Sequence, residues 1–348
     1  DKKEFGRRAL LGIDAGLKEL VERDEIDEDF KLHIVDSEGS GAVGAHRVNE
    51  LINKHHVSAI IGGLFSSEAA KEYRETRKRG VFFVSLAPIY IPKTDKNHLL
   101  LEIPGSIESQ LKRLFSQDVL NNFGRKAAIV YPESQRGEAY VNEFWRRSQL
   151  QEAEVTGVVS YDKKATDFRG PIRNLLGLKY TRNRKEEKET LKEIHELEEQ
   201  TTIRRLQTLK PQMDFDWVFI PAYPLEALQI IPSFNYLDAF DVTMFGGPSW
   251  RSRSLSKESS KLGDLYFVGD DVRPLSQTFI QKFEEKYEKR PRLIELRGYD
   301  SMRILNELLG KNNYPTRDAF EIYLREKGQL LGLTGQWSLV DNIWVKEM

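Results

Sequence analysis

The residues best placed to do chemistry are few, and most of them fail a test of spacing. Gly39-Ser40-Gly41-Ala42-Val43-Gly44 has the G-x-G-x-x-G pattern between a strand-like run and a helix-like run, the arrangement that seats a pyrophosphate on a helix N-terminus. Such a site also needs an acid about 20 residues on, at the end of the next strand, to hold the ribose. That strand ends here in Ile60-Ile61-Gly62-Gly63, and Asp36 and Glu38 put carboxylates where the pyrophosphate would approach. The stretch therefore reads as a flexible polar turn. His55 and His56 are adjacent, so they point in different directions on any regular element, and no acid at helical spacing completes a metal site. With no cysteine there is no disulfide, thiol nucleophile or cysteine-bound metal. No Gly-x-Ser-x-Gly elbow, Walker loop or His-Glu-x-x-His stretch occurs. Carboxylates are plentiful, but nothing in their spacing selects an acid/base pair. The expectation is a protein that recognises without transforming, with no cofactor and no metal.

What remains is the chemistry of binding. Ser66 and Ser67 precede Glu68-Ala69-Ala70-Lys71, so one serine is the expected N-cap of a helix whose free N–H groups follow the glycines Gly62 and Gly63. Farther on, residues 215–220 run into Pro221-Ala222-Tyr223-Pro224, and residues 242–245 into Gly246-Gly247-Pro248-Ser249-Trp250-Arg251. The candidate ligand-facing residues are Gly63, Ser66, Ser67, Ile89, Tyr90, Arg136, Tyr223, Ser249 and Trp250. Hydroxyls, aromatic faces and helix N-termini lining a cleft between two lobes suit a small polar ligand. The plainer alternative is that Tyr223 and Trp250 only pack the strand ends.

These residues need elements to place them. Val57 to Ile61 reads as a buried strand, and a helix from Ser66 or Ser67 ends at Gly80 behind Arg77, Lys78 and Arg79, which suit the negative end of its dipole. A second strand at 81–85 completes a parallel crossover unit. Around it the patterns predict a helix at 6–22 (Leu10, Ile13, Leu17, Leu20 and Val21 on one face), a strand at 31–36, a helix at 41–54 and a short strand at 99–103. Every later helix follows a strand, whereas the first has only Asp1 to Phe5 ahead of it, so the first strand of the sheet is expected upstream. A second set begins at Ser106: helix 106–122, strand 126–131, helix 135–151, strand 154–161, helix 167–179, strand 215–220, helix 224–238, strand 242–245, a polar segment at 249–261 and strand 265–268. Helices at 276–288, 295–309 and 316–326 and strands at 333–339 and 342–346 close the chain.

Two runs of alternating strand and helix predict an α/β protein with two doubly wound, open parallel-sheet lobes rather than one barrel. The expected division is 1–105 with 272–327 in lobe 1, and 106–271 with 328–348 in lobe 2. Residues 181–213 are almost half charged and contain no glycine, which reads as a solvated helix or a partly disordered excursion, with a partner-binding element as the alternative.

A chain of 348 residues predicts about two domains at ~150 residues each. With 39% apolar and 31% charged residues it has the composition of a water-soluble globular protein. Its 53 Lys and Arg are balanced by 54 Asp and Glu, so it has no general pull on nucleic acid. No apolar run approaches the ~18 residues of a membrane span, and no signal peptide is visible. The absence of cysteine fits an oxidising compartment.

FGRRALLGID, IIGGLFSSEAA, AAIVYPESQRGEAYVNEFWR, DFDWVFIPAYPLEALQIIPSF and LRGYDSMRIL stand in an order that resembles type I periplasmic binding proteins of the leucine-binding sort, over essentially the whole chain. The resemblance implies two lobes joined by three crossovers, a ligand captured by hinge closure, and a strand ahead of FGRRALLGID. Amino-acid binders of this family hold the ligand carboxylate at the serine-bearing helix start, matched here by Ser66 and Ser67. The family's ammonium-binding threonine and acid fall on Ile89 and Pro248, which cannot accept from an ammonium. The charged excursion and the stretch after it look most like the penicillin-binding protein activators of the LpoA type. That branch implies a periplasmic, outer-membrane-anchored lipoprotein, with its lipid anchor upstream, that stimulates a peptidoglycan synthase by direct contact through the second lobe and 181–213. The alternative is a solute-binding protein that delivers a small polar, amino-acid-like ligand to an ABC permease.

Overall fold

A computed structural model describes residues 2–26, 30–179, 182, 184–197, 210–269, 276–310, 314 and 316–348. The chain divides into two compact units, Asp1–Gln110 with Asp270–Met348, and Leu111–Gly269.

Unit 1 opens with helix α1 (Lys2–Glu22), followed by α2 (Gly41–His55), strand β1 (Ala59–Gly62), α3 (Ser66–Arg79), β2 (Phe82–Ser85), β3 (Leu100–Glu102) and the start of α4 (Ile107–Leu114). The three strands form a parallel sheet in the order β1-β2-β3, in register at Ile60 with Phe83 and at Val84 with Leu101. All of β2 is buried, as expected of a parallel strand covered on both faces. Gly80 caps α3 in the left-handed region (φ 64°), its N–H donating to Arg77 O. The expected strand at 31–36 is a correction. Residues 30–37 carry no ladder, and Leu32, Ile34 and Val35 are exposed, because a strand forms only where a neighbour takes its backbone groups.

Unit 2 contains α5 (Gln117–Phe123), β4 (Lys126–Pro132), α6 (Gln135–Leu150), β5 (Glu154–Tyr161), α7 (Arg169–Leu175), α8 (Lys185–Leu197), β6 (Trp217–Ile220), α9 (Pro224–Tyr236), β7 (Thr243–Gly246), α10 (Arg253–Leu262) and β8 (Leu265–Phe267). Its sheet is parallel throughout, in the order β5-β4-β6-β7-β8. The single helix expected at 106–122 is broken at Phe115–Ser116, where the Ser116 hydroxyl accepts from the Val119 N–H and starts α5. The polar segment at 249–261 is largely helix, because Ser252 caps α10 by accepting from Leu255 N. Within the charged excursion α8 is a helix, and Arg184 at its base is buried, donating to Glu187 and to Lys210 O. Residues 181, 183 and 198–209 of that excursion lie outside the described residues.

The chain returns to unit 1 as α11 (Ser276–Tyr287), α12 (Leu293–Leu309), α13 (Arg317–Lys327) and strands β9 (Gln329–Leu331), β10 (Gln336–Val340) and β11 (Ile343–Lys346), an antiparallel sheet ordered β11-β10-β9. Helices α1 and α12 meet at glycines: a Cβ on Gly12 would lie 2.0 Å from Glu295 O, and one on Gly298 2.5 Å from Ala9 O. The expectation that 328–348 belongs to the second lobe is also corrected. Trp337 and Trp344 bury against Phe82, Val84, Leu99 and Leu101, and their indole N–H groups donate to Glu102 O (3.1 Å) and His98 O (2.8 Å). Buried indoles need both an apolar bed and an acceptor, and the first sheet supplies the two together. Asp300 fastens the β9–β10 turn by accepting from Leu333 N, Thr334 N and the Thr334 hydroxyl.

Candidate functional site

In unit 1 the carboxyl end of β1 turns at Gly63 (φ 64°), where a side chain would lie 2.5 Å from Ala69 Cβ. The Gly63 N–H donates to Glu72 Oε2 at 2.7 Å. Phe65, not a serine, is the N-cap of α3. Its carbonyl accepts from Glu68 N and Ala69 N, and Ser66 and Ser67 are the first two helical residues. Ser66 is half-buried and Ser67 exposed, so their N–H and hydroxyl groups stand at the positive end of α3.

Ile89 and Tyr90 follow β2. The Ile89 side chain is fully buried and its N–H donates to Glu102 Oε1 (2.6 Å), so its assignment as a ligand contact is corrected: it offers no polar group. Tyr90 is half-buried. Behind this segment lies a buried ionic cluster that the sequence did not signal. Lys96 Nζ donates to Glu102 and Glu108, each at 3.0 Å. Burial alone would lower the Lys96 pKa, but the two carboxylates outweigh it and hold the ammonium charged. Burial raises the Glu102 carboxyl, whereas at Glu108 it is outweighed by Lys96 and the carboxyl is held low.

A hollow of about 500 Å3 in unit 1 is lined by Arg8, Lys289, Arg290, Pro291 and Arg292. It lies by the first turns of α1 and α12, where Ala9 and Ile294 pack on Leu86 beyond the end of β2. Glu295 neutralises part of this charge by pairing with Arg8 (2.5 Å) and accepting from Arg292 N. Arg290 also lies 3.8 Å from Glu284, so four cations stand against two carboxylates and the surface still favours anions. The run EKRPRL carried that signal in the sequence, at a distance along the chain from Arg8.

In unit 2 the rim is built on β4, β6 and β7. Ser134 caps α6 by accepting from Gly137 N, and Gly137 carries no side chain because a Cβ would lie 1.9 Å from Pro132 O. This places Arg136, whose guanidinium donates to Pro221 O and lies 3.8 Å from the centre of the exposed Tyr223 ring. Tyr223 is the N-cap of α9, and its N–H donates to Glu226 Oε2 (2.8 Å). Glu226 also accepts from the Tyr161 hydroxyl and lies 3.8 Å from Arg136. Burial first, then the Glu226 charge, push the Tyr161 phenol up. Sequence reasoning missed Glu226, although an acid three residues after a helix start is the capping signal. Ser249 and Trp250 both donate to Ala222 O, at 3.3 and 3.1 Å. The Trp250 ring is buried in the core cluster, and a Cβ on Gly246 would lie 1.9 Å from it, so Trp250 packs the strand ends and its assignment as a ligand contact is corrected.

The remaining motifs are structural. Gly41 and Gly44 let α2 close on α3, since a Cβ at Gly44 would lie 2.3 Å from Glu72 Oε1. The glycines of this stretch thus serve the close packing of α2 on α3, with the Glu72 side chain filling the space beside Gly44. His56 ends α2 in the left-handed region, and the His55 ring lies 4.2 Å from that of His33. Among the described residues no three His, Asp or Glu side chains converge as a metal site. No described helix is long and apolar enough to cross a membrane.

No family model and no curated protein matches the sequence. Solved structures do match over nearly the whole chain. LivJ, the branched-chain amino acid transporter substrate-binding protein of Streptococcus pneumoniae in complex with isoleucine, is 17% identical, with a TM-score of 0.60 and coverage of 98% of this chain and 89% of that one. An ABC transporter substrate-binding protein from Desulfitobacterium hafniense in complex with Leu is 14% identical, with a TM-score of 0.67 and coverage of 98% and 91%. A solute-binding protein from R. palustris in complex with benzoate is 14% identical, with a TM-score of 0.58 and coverage of 98% and 87%. The fold is that of the type I periplasmic binding proteins, with its parallel sheets.

Proposed function

We propose that the chain is a non-catalytic periplasmic solute receptor that captures a small carboxylate-bearing ligand and presents it to an ABC permease. The observation that carries this reading is the pairing of Arg136 with the exposed face of Tyr223 at the strand ends of unit 2. A guanidinium held by Pro221 O beside an accessible ring suits a planar anion. Ser66 and Ser67 at the start of α3 and the cationic hollow at Arg8 and Arg292 support the same charge preference in unit 1. Solved proteins of the same fold bind isoleucine, leucine or benzoate, all carboxylates. Of these, benzoate lacks the ammonium that the buried Ile89 has no means of accepting.

Thermal unfolding with isoleucine, leucine, benzoate and pooled metabolites tests the reading. A ligand at a hundred times its dissociation constant adds about 2.7 kcal/mol, a shift of several degrees. No shift with any of them would remove the receptor function.

A second reading, activation of a peptidoglycan synthase by direct contact, draws on α8, whose described side chains at 185–190 are exposed and mostly charged. Capture of a bifunctional synthase from envelope extract by the wild-type chain, abolished by deleting α8, with no metabolite shifting the melt, would favour it.

A further inference from the structure

We propose that the outward face of α9 in unit 2 is a self-association surface, on which a second copy of this chain packs with its own α9 antiparallel. A surface helix ordinarily turns a charged face to water, and one that is apolar on every side belongs in an interior. α9 reads Pro-Leu-Glu-Ala-Leu-Gln-Ile-Ile-Pro-Ser-Phe-Asn-Tyr, and its one charge, Glu226, is taken up in accepting from Tyr223 N. Ala227, Ile230, Ile231 and Phe234 fill the inner face and are wholly buried in the core of unit 2. The outer face is largely apolar too. Leu225, Gln229, Pro232 and Tyr236 are all exposed, and at 3.6 residues per turn they fall within ~60° of one another around the helix. Leu225 and Tyr236, at the two ends of this stripe, are 72% and 63% exposed, and Phe240, four residues beyond, is 54% exposed. Apolar surface gathered in this way marks a place where another molecule packs.

The charges around the stripe say what that molecule is. α9 follows β6 and α10 follows β7, neighbours in a parallel sheet, so both helices start at the carboxyl ends of strands and run the same way. Arg251 and Arg253 are exposed at the start of α10. Asp238, Asp241 and Asp264 are exposed in the loops by which the two helices return to the sheet. Near that end Lys261 is paired with Glu258 (2.8 Å), and Arg169, 5.0 Å from the centre of the Tyr236 ring, with Asp167 (2.7 Å), so neither offsets the aspartates. Lys257 sits midway along α10 and does not change the asymmetry.

The layer thus carries cations at one end, anions at the other and an apolar stripe between them. Such a surface is complementary to itself turned end for end. A two-fold axis across the middle of α9 sets Leu225 of one copy against Tyr236 of the other, and the arginine end of each against the aspartate end of the other. Parallel docking would bring arginines onto arginines.

The mass of the 348-residue chain in solution tests this without any ligand, so its outcome is separate from that of the receptor reading. Sedimentation equilibrium over a micromolar to submillimolar series should show the mass rising from one chain toward two. Leu225→Glu or Tyr236→Lys alone should weaken the association at least ~10-fold. The two together put opposite charges on the two ends of the stripe and should regain at least ~10-fold over either alone, because only end-for-end pairing lets them meet. Arg253→Glu and Asp264→Lys should show the same loss and recovery. All four residues are exposed, so the variants test association rather than folding. A chain that stays monomeric throughout the series overturns the proposal and leaves the stripe to a different protein. So does a dimer that all four substitutions leave unchanged, which uses another face, and one that the paired substitutions weaken further, which is not antiparallel.

Discussion

Glu72 reaches from the second turn of α3 to the backbone of Gly63, accepting its N–H at 2.7 Å from a carboxyl group that is almost wholly buried. The contact fixes the turn that carries the rim of unit 1. Burial first, and the neighbouring Glu68 charge as well, push the Glu72 carboxyl up to about 7, against the lowering effect of the Gly63 N–H.

That displacement has a definite sign. Between the ordinary 4.5 and about 7 the folded state holds a proton that the unfolded state has released, so the contribution is complete below 4.5 and fades as pH rises through 7. The expected loss over that interval is ~3 kcal/mol. Glu72→Gln, which keeps the acceptor and cannot ionise, should flatten this part of the stability profile measured by denaturant unfolding. A variant with the wild-type slope would refute the assignment.

Lys96 is a buried cation held by two buried carboxylates. Lys96→Met leaves Glu102 and Glu108 facing each other without it and should cost ~3–5 kcal/mol. Urea unfolding gives the number, and a loss below ~1 kcal/mol would show that the cluster relaxes to water.

Glu226 closes the start of α9 by taking the Tyr223 N–H. Glu226→Ala should destabilise unit 2 by ~1 kcal/mol through loss of the cap. It should also raise the amplitude of Tyr223 motion, read as faster exchange of the 222–226 amides. Unchanged exchange there would separate Glu226 from the placement of the rim.

Tyr223 and Trp250 were equivalent in sequence and should behave in opposite ways. Trp250→Ala empties a site in the core of unit 2 and should cost ~3–5 kcal/mol. Tyr223→Ala removes an exposed ring and should change stability by no more than ~0.5 kcal/mol. Against whichever of isoleucine, leucine or benzoate stabilises the wild type, Tyr223→Ala should weaken affinity at least tenfold, which is ~1.4 kcal/mol by titration calorimetry. Retained affinity would move the site away from the unit 2 rim.

Local pattern was enough for the parallel strands and their helices. Val81 to Val84 is apolar without interruption, Gly80 supplies the left-handed cap, and Ser134 precedes a helix whose first turn carries Glu138. Those signals lie within a few residues of the features they create, so the α/β class and the strand-end position of Ser66, Ser67, Arg136 and Tyr223 could be read directly. Partner choice could not. Residues 31–36 have the composition of a strand, but a ladder depends on a neighbour that periodicity does not name. Trp337 and Trp344 could have served either unit until the carbonyls of Glu102 and His98 were in place to receive them. Ile89 and Trp250 sit at the right places along the chain, and only the packing around them turns one inward and makes the other a strand-end plug. The charge of the Arg8–Arg292 hollow and the Lys96 cluster likewise arise from residues far apart in sequence, whose electrostatics exist only after the chain has brought them together.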